Sequence, residues 1–559
     1  MKIIQSFKIL FLYLNTVRHL RTKQILYRVL KTLPKRQSRI PEELYFNTLK
    51  RPFMRPISKP DSYISDGKFW FLDELGNLDD IGWAGSGKSA LWRYNQHYFD
   101  WLLSDRASRD QSSFRMLTKN WIKNNQNLKA IAWDPYPTSL RLVNWIKAIN
   151  SCQEMPSNAH LSLYIQAQHL FDRIEWHLMG NHLFANAKAL VFAGAFFEGK
   201  EPKKWFLRGL EILKQQIHEQ ILVDGGHFEL SPMYHSIILE DCLDIYNILH
   251  TYNLDCPNAE DLKNKICARV PAMLDWLSYM TFTDCEIAHF NDSVSGVAPS
   301  LSKLHDYALR LGFAPRVDIN DVENVGLTYL EGTGYVHFKS KTCKAILDVG
   351  NVGPQYQPGH AHADTLSFEL GIENKRFIVN SGTSCYGRTE LRKFQRSTLA
   401  HSTVVVEGRD SSEVWSSFRV AKRAKPVAMV IDYDRFRVRC EHDGYKSLPG
   451  SPSHRREWRF GSELIEVHDF VDNSDLDAIA LFYIHPDWEL KKSTVGVEFF
   501  VNKITVVMDC NTPDYSIVAT KYYPAFNQCV KNYCVKVRLK NGSSKVTFSW
   551  NSSENTIYQ

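Results

Sequence analysis

The spacing of apolar residues changes once along this chain, and that change restricts the folds open to it. From about residue 91 to 311 apolar side chains recur every three or four positions, in 160–179, 184–197, 202–222, 236–252 and 259–282. This is the spacing that gives a helix one buried stripe. Turns marked by Gly, Pro, Asn or Asp separate these stretches, which predicts helical hairpins in series, as in an all-α toroid or solenoid. Beyond about residue 314 the period falls to two, in 334–338, 344–348, 365–370, 377–380, 402–407, 427–433, 435–441, 456–460, 464–470, 478–484, 495–508, 515–522 and 535–550. About thirteen strands with no helix between them predict an antiparallel β-sandwich. A chain of 559 residues exceeds one ordinary core, so separate units are expected. They are a basic N-terminal helical segment over 1–60, a toroid over 61–318 and a sandwich over 319–559, with the boundary near 315–324.

Chemistry-bearing residues gather at a few points. His360-Ala361-His362-Ala363-Asp364 leads into an apolar run. Read as a strand, it puts both imidazoles and the carboxylate on one face. Such a row is costly to bury unless each group has a partner, and His serves both proton transfer and metal ligation. Asn380 in the turn 380–383 and His401 in the run 396–405 follow. In the helical half, Asn181 and His182 stand where a Gly breaks one helix and the next begins, a place where Asn commonly caps. Gly225-Gly226 precedes a Ser231-Pro232 helix start that places Tyr234 and His235 in the first turn. Asn291-Asp292-Ser293 reads as a turn. Trp133 to Arg141 is an aromatic and proline-rich loop running into a helix, able to offer a ring platform and a cation to an acidic sugar.

Charge adds a hint about partners. The net charge is +7, yet no Asp or Glu precedes Glu42 while Lys and Arg recur from Lys2 to Arg39. An anionic partner is expected, a polymer or a lipid surface, and no nucleic-acid motif is present. The apolar run 9–14 is short for a secretory signal and no small-residue cleavage pattern follows it, so the expected address is cytoplasmic, peripheral to the inner membrane, with the periplasm as the alternative. Phe7, Leu10, Phe11, Leu14, Val17, Ile25, Leu26, Val29 and Leu30 recur at helical spacing, which suits a helix packed on its own domain or one lying on a membrane. Eleven Cys without a CxxC pair read as reduced thiols in a reducing compartment. The 14 Trp, 25 Tyr and 31 Phe suit sugar stacking as well as large cores.

In these residues the chain resembles the heparinase II/III-like polysaccharide lyases, over most of its length. The pieces are Leu91 to Asn95 with His97 to Asp100, Trp133 to Arg141, Asn181-His182 with Asn186, Glu229 through Tyr234-His235, and Asn291-Asp292. In the second half they are His360-x-His362-x-Asp364 with Ser367-Phe368, 380–383, Arg396 to Thr398 and His401 to Thr403. The resemblance implies an incomplete (α/α) toroid, an antiparallel β-sandwich, and a cleft where a uronic-acid-containing polysaccharide is cut by β-elimination. It assigns charge neutralisation to Asn181 and His182, and proton transfer to Tyr234 and His360. Substrate contacts fall to Trp133, Arg141, Asn186, Glu229, His235 and Arg396. A structural zinc falls to His362, Asn380 and His401, where Asn380 replaces the usual Asp and weakens the site unless Asp364 compensates. No organic cofactor is implied. A non-catalytic glycan-binding or assembly factor for envelope polysaccharide, or a uronate C5-epimerase, would use the same cleft.

Overall fold

The computed structural model describes residues 2–31, 40–316 and 325–551. The expected 318/319 domain boundary lies outside the described residues.

The helical half is built from antiparallel hairpins of long helices, Pro135–Asn150, Ala159–Phe171, Gly180–Phe196, Lys200–Gln220, Pro232–Thr251 and Pro257–Tyr279 among them. Three of these carry Pro in the first turn, where its missing N–H costs nothing and its fixed φ favours the helix. Gly180–Phe196 is buried on nearly every side and forms the hub of this layer. It crosses Lys200–Gln220 closely because the contact is made by glycines. A Cβ on Gly194 would lie 2.6 Å from the Pro202 carbonyl oxygen, and one on Gly209 2.8 Å from that of Ala187. The expected helix 160–179 ends early, at Phe171, because the following stretch turns Glu175 inward. Its N–H donates to Asn186 Oδ1 at 2.8 Å. A small sheet of Tyr63–Ser65, Lys68–Phe71 and Glu74–Asn77, absent from the sequence reading, feeds Phe69 and Phe71 into the same core.

The second half is a sandwich of two antiparallel sheets. One runs in the order Tyr515–Tyr522, Val530–Arg538, Ala478–Ile484, Lys375–Val379, Phe368–Ile372, Cys343–Asp348, Tyr335–Lys339, Gly326–Leu330, with Val404–Val406 also paired to Ala478–Ile484. The other runs Pro426–Asp432, Arg437–His442, His454–Phe460, Leu464–Val471, Ser543–Trp550, Ile504–Asp509, Gly496–Val501, Glu489–Lys492. Phe368, Phe377, Trp458, Phe482, Phe499 and Phe548 fill the space between them. Two expected single strands are hairpins instead. The run 495–508 turns at Asn502, and 535–550 turns at Asn541-Gly542, all three with positive φ, the conformation a tight hairpin turn requires.

The two halves share an apolar seam in which Leu230, Trp276, Met280 and Phe290 of the helical half meet Leu330, Tyr335 and Ile346 of the sandwich. At the chain start, α1 (Lys2–Val17) and α2 (Thr22–Leu30) are joined by a short turn, α1 touching the sandwich half at Trp415 and α2 the helical half at Trp176.

Candidate active site

Asp292 organises the site. It is fully buried, and its carboxylate accepts from His360 Nδ1 at 2.9 Å on one oxygen and from His362 Nε2 at 2.9 Å on the other. Arg392 grips both oxygens as well, at 2.6 Å on Oδ2 and through a closer contact on Oδ1. Burial alone would favour the neutral acid, but Arg392 and the two imidazole hydrogen bonds overcome it and hold the carboxyl well below its usual range. The expected strand through His360, His362 and Asp364 is corrected: residues 359–367 form an irregular loop, and the strand begins at Phe368. The two imidazoles still converge, because both reach for one carboxylate.

A carboxylate only accepts, so His360 donates from Nδ1, and the neutral ring then carries its lone pair on Nε2. Against this ring lies the ring of Tyr234, with centroids 4.1 Å apart. Tyr234 stands in the first turn of Pro232–Thr251, whose N-cap Ser231 accepts its N–H at 3.3 Å. Its phenol oxygen is 3.3 Å from that of Tyr386. Burial raises the phenol well above its usual range, and the neighbouring Tyr386 adds to the effect, so Tyr234 holds its proton at neutral pH.

Asn181 and His182 occupy the first turn of Gly180–Phe196, where unpaired backbone N–H groups attract negative charge. The Asn181 backbone N–H is turned toward the Glu229 carboxyl. His182 Nδ1 lies 3.2 Å from Glu175 Oε2, and Tyr136 packs on its ring at 4.5 Å. Burial opposes a charged imidazole there, but Glu175 outweighs it and raises the His182 pKa. The Glu229 carboxyl sits between the two parts of the site, within electrostatic reach of both His360 and His182. It is buried against the start of Gly180–Phe196, beside that Asn181 N–H, and burial raises its pKa.

Several expected substrate contacts point elsewhere. Trp133 is buried, donating to the Asn125 carbonyl at 2.9 Å and packed on Trp121 and His169. Arg141 is fully buried beneath it, bonded to Gln166 Oε1 and to the carbonyls of His97 and Ala132. The aromatic of this block that reaches the site is Tyr136. Asn186 spends its amide on Ser139 and Glu175, so it positions Glu175. His235 faces the opposite way, bonded to the Met273 carbonyl at 2.9 Å and stacked on Trp276. Arg396 is buried and donates to the Ala361 and Ser416 carbonyls, bracing the His360 loop from behind.

The third metal ligand has two candidates in the structure, Asn380 and Asp364. Asn380 Oδ1 accepts the Ser402 N–H at 3.1 Å, whereas Asp364 joins His362 and His401 with ligand atoms within 4.8 Å of one another. His401 Nδ1 bonds the Ser397 carbonyl at 2.7 Å and His362 Nε2 bonds Asp292. Both of those nitrogens therefore donate, and the two facing nitrogens, 3.1 Å apart, each carry a lone pair. Two such lone pairs repel unless a cation lies between them, and tetrahedral zinc with Zn–N of about 2.0–2.1 Å spans such a gap. These residues fit a metal ion.

Asp292, Arg392, Tyr386, Glu175 and Tyr136 have roles that the sequence reading did not assign. One structural signal marks the site: Met179, Leu230, Asn291 and Leu366 all have positive φ, a rare state for such residues, and each adjoins a site segment.

Residues 92–312 match the family described as Heparinase II/III N-terminus, and residues 323–550 that described as Heparinase II/III-like, C-terminal. A heparin-sulfate lyase of Bacteroides stercoris is 23% identical over 440 residues, 74% of this chain and 63% of its own length. Another from Pedobacter heparinus is 27% identical over 317 residues, 52% of this chain and 46% of its own. This chain thus spans less than two thirds of the length of either relative. Among solved structures, a heparinase III superposes with a TM-score of 0.62 at 19% identity, covering 86% of this chain and 82% of that one. Both halves match in order, and the chain belongs to the heparinase II/III-like family.

Proposed function

We propose that this protein is a polysaccharide lyase that cleaves a uronic-acid-containing acidic polysaccharide by β-elimination. The observation that carries the reading is the pairing of Tyr234 and His360, drawn from different halves of the molecule yet packed ring to ring. Abstraction of the C5 proton drives charge onto the uronate carboxylate, and donors fixed in advance stabilise that charge. Asn181, the raised imidazole of His182 and the helix N-terminus behind them supply such donors. The Nε2 lone pair of His360 takes the C5 proton when that hydrogen lies on its side. Tyr234, protonated in the resting protein, gives its proton to the departing C4 oxygen.

Zinc on His362, His401 and Asp364 would supply rigidity to the loop carrying His360, with no part in proton transfer. The substrate we favour is the cell's own envelope or capsular polymer, handled at the cytoplasmic face of the inner membrane. The basic segment α1–α2 and the eleven free cysteines support that address. The relatives named as heparin-sulfate lyases support an acidic glycan.

The test is an ultraviolet screen of acidic glycans, the host's own capsule included, for the unsaturated uronate product. The wild type releases it, and Tyr234→Phe lowers kcat by about 10²–10⁴. Binding without product would identify a glycan-binding factor, and solvent deuterium entering an uncut polymer an epimerase; either result overturns the lyase.

A further inference from the structure

The helices α1 and α2 meet the rest of the protein with their polar and aromatic sides. Tyr13 packs edge-on against Trp415 at 4.9 Å, and Trp415 donates to Thr16 Oγ1 at 3.1 Å. Across the junction, Lys23 lies 3.6 Å over Trp176, Tyr27 packs on the same ring, and Arg21 sits over Tyr356 and pairs with Glu219. The apolar stripes therefore face outward. Leu10 is 52% exposed, Phe11 62%, Leu14 57% and Leu26 52%, with Ile9, Val17 and Ile25 similarly bare. An amphipathic helix normally buries this stripe on its own core, so the arrangement is inverted and leaves the apolar stripe of each helix uncovered. The described residues of the two helices and their turn carry Arg18, Arg21, Lys23, Arg28 and Lys31 and no Asp or Glu.

We propose that α1 and α2 form an anchor for an anionic lipid surface, lying in the plane of the bilayer. Leu10, Phe11, Leu14 and Leu26 enter the acyl boundary while flanking Arg and Lys meet lipid phosphates. Charge complementarity selects this occupant over a second copy of the chain, because two such helix pairs face to face would bring their cationic borders together. Neither helix is long and apolar enough to cross the membrane, so the contact is interfacial.

The anchor stands at the rim of the candidate site. Trp415, which holds α1, is three positions from Phe418, whose ring lies 5.8 Å from that of His360. Trp176, which holds α2, follows Glu175, the partner of His182. Docking the two helices brings both catalytic halves close to the lipid surface, where a polymer still attached to a lipid carrier is within reach.

The experiment is flotation of the full chain with neutral phosphatidylcholine vesicles and with vesicles containing about a third phosphatidylglycerol. Binding needs no turnover, so it is read independently of the proposed lyase activity. Expected is binding to the anionic vesicles, weakened by salt and reduced at least tenfold in Leu10→Asp/Leu14→Asp and in Ile25→Asp/Leu26→Asp. These positions are exposed, so circular dichroism should show an unchanged fold. Absence of binding to either vesicle overturns the proposal, as does binding that both double variants retain. A wild-type dimer in sedimentation, dissolved by those variants and indifferent to lipid, would assign the face to self-association instead.

Discussion

Glu175 faces His182 and favours its charged form, and this pair gives the site a pH dependence with a definite sign. Burial lowers the pKa of the imidazole and Glu175 raises it further than burial lowers it, so the folded value lies above 6.5. The carboxyl of Glu175, opposed by burial and favoured by His182, lies below 4.5. The pair is fully formed between those two values and is lost as pH rises through the first or falls through the second. Turnover that uses a cationic His182 should therefore fall on the alkaline side, and Glu175→Gln should move that limb to lower pH. A pH–kcat/KM profile with the limb unmoved would remove His182 from charge neutralisation. The metal reading is also decided by single residues. Wild type and Asn380→Ala should each retain about one zinc after dialysis against a weak chelator, and Asp364→Ala should not. Equal zinc by mass spectrometry in Asp364→Ala and wild type would return the third ligand to Asn380. At this scale the sequence was legible where side-chain type alone signals chemistry, as with His360, His362 and Tyr234. It placed Asp292 in a turn and in the family pattern but assigned it no role, because nothing local reveals that the bend is buried against three cationic or imidazole partners. Trp133 and Arg141 misled for the converse reason: an aromatic and a cation side by side suit a sugar, and they suit each other as well, with Arg141 4.2 Å over Trp121 in the core.

Among the elements, the crossing of Gly180–Phe196 over Lys200–Gln220 fixes the first turn that carries Asn181 and His182. Gly194 leaves no space for a methyl group, since its nearest neighbours include the Pro202 carbonyl at 2.6 Å and the Phe206 N–H at 2.7 Å, both backbone. Gly194→Ala should cost about 1–3 kcal/mol through overpacking, although Ala is the better helix former by about 1 kcal/mol. Equilibrium urea unfolding would show it as a lower midpoint at unchanged slope, and a midpoint equal to or above wild type would mean the helices can separate without strain. Periodicity located the starts of these helices to within a few residues, because each buries an apolar face against its neighbours, and it missed the early end at Phe171. It failed where the signal was a turn inside an unbroken β pattern. Asn541-Gly542 is a strong hairpin marker, yet alternation runs straight through it. It also failed at the His360 loop, where alternating residues imitate a strand but the backbone leaves Leu366 at φ 63°.

For the molecule as a whole, the decisive fact is that one carboxylate of the helical half is held entirely by the sandwich. Asp292 meets His360, His362 and Arg392, so the candidate site and the domain junction are one structure. Two differently patterned halves were readable from the sequence, but their register against each other was not, since it depends on pairs such as 292 with 392 that share no local pattern. Arg392→Met tests the arrangement. Removing one partner of a buried pair leaves the other charge uncompensated, at a cost of about 3–5 kcal/mol. Here the two remaining imidazole donors keep the penalty near the lower end. The apolar seam of Leu230, Trp276, Tyr335 and Ile346 is untouched by this change, so unfolding should remain a single transition with an earlier midpoint. Adding Asp292→Asn should recover part of that stability, because the unpaired charge is then gone. Activity should not recover, because the amide no longer secures the His360 tautomer. Two separate transitions in Arg392→Met would show that the polar clamp, rather than the apolar seam, makes the halves cooperative. No loss of stability at all would mean that Asp292 is satisfied by its histidines alone.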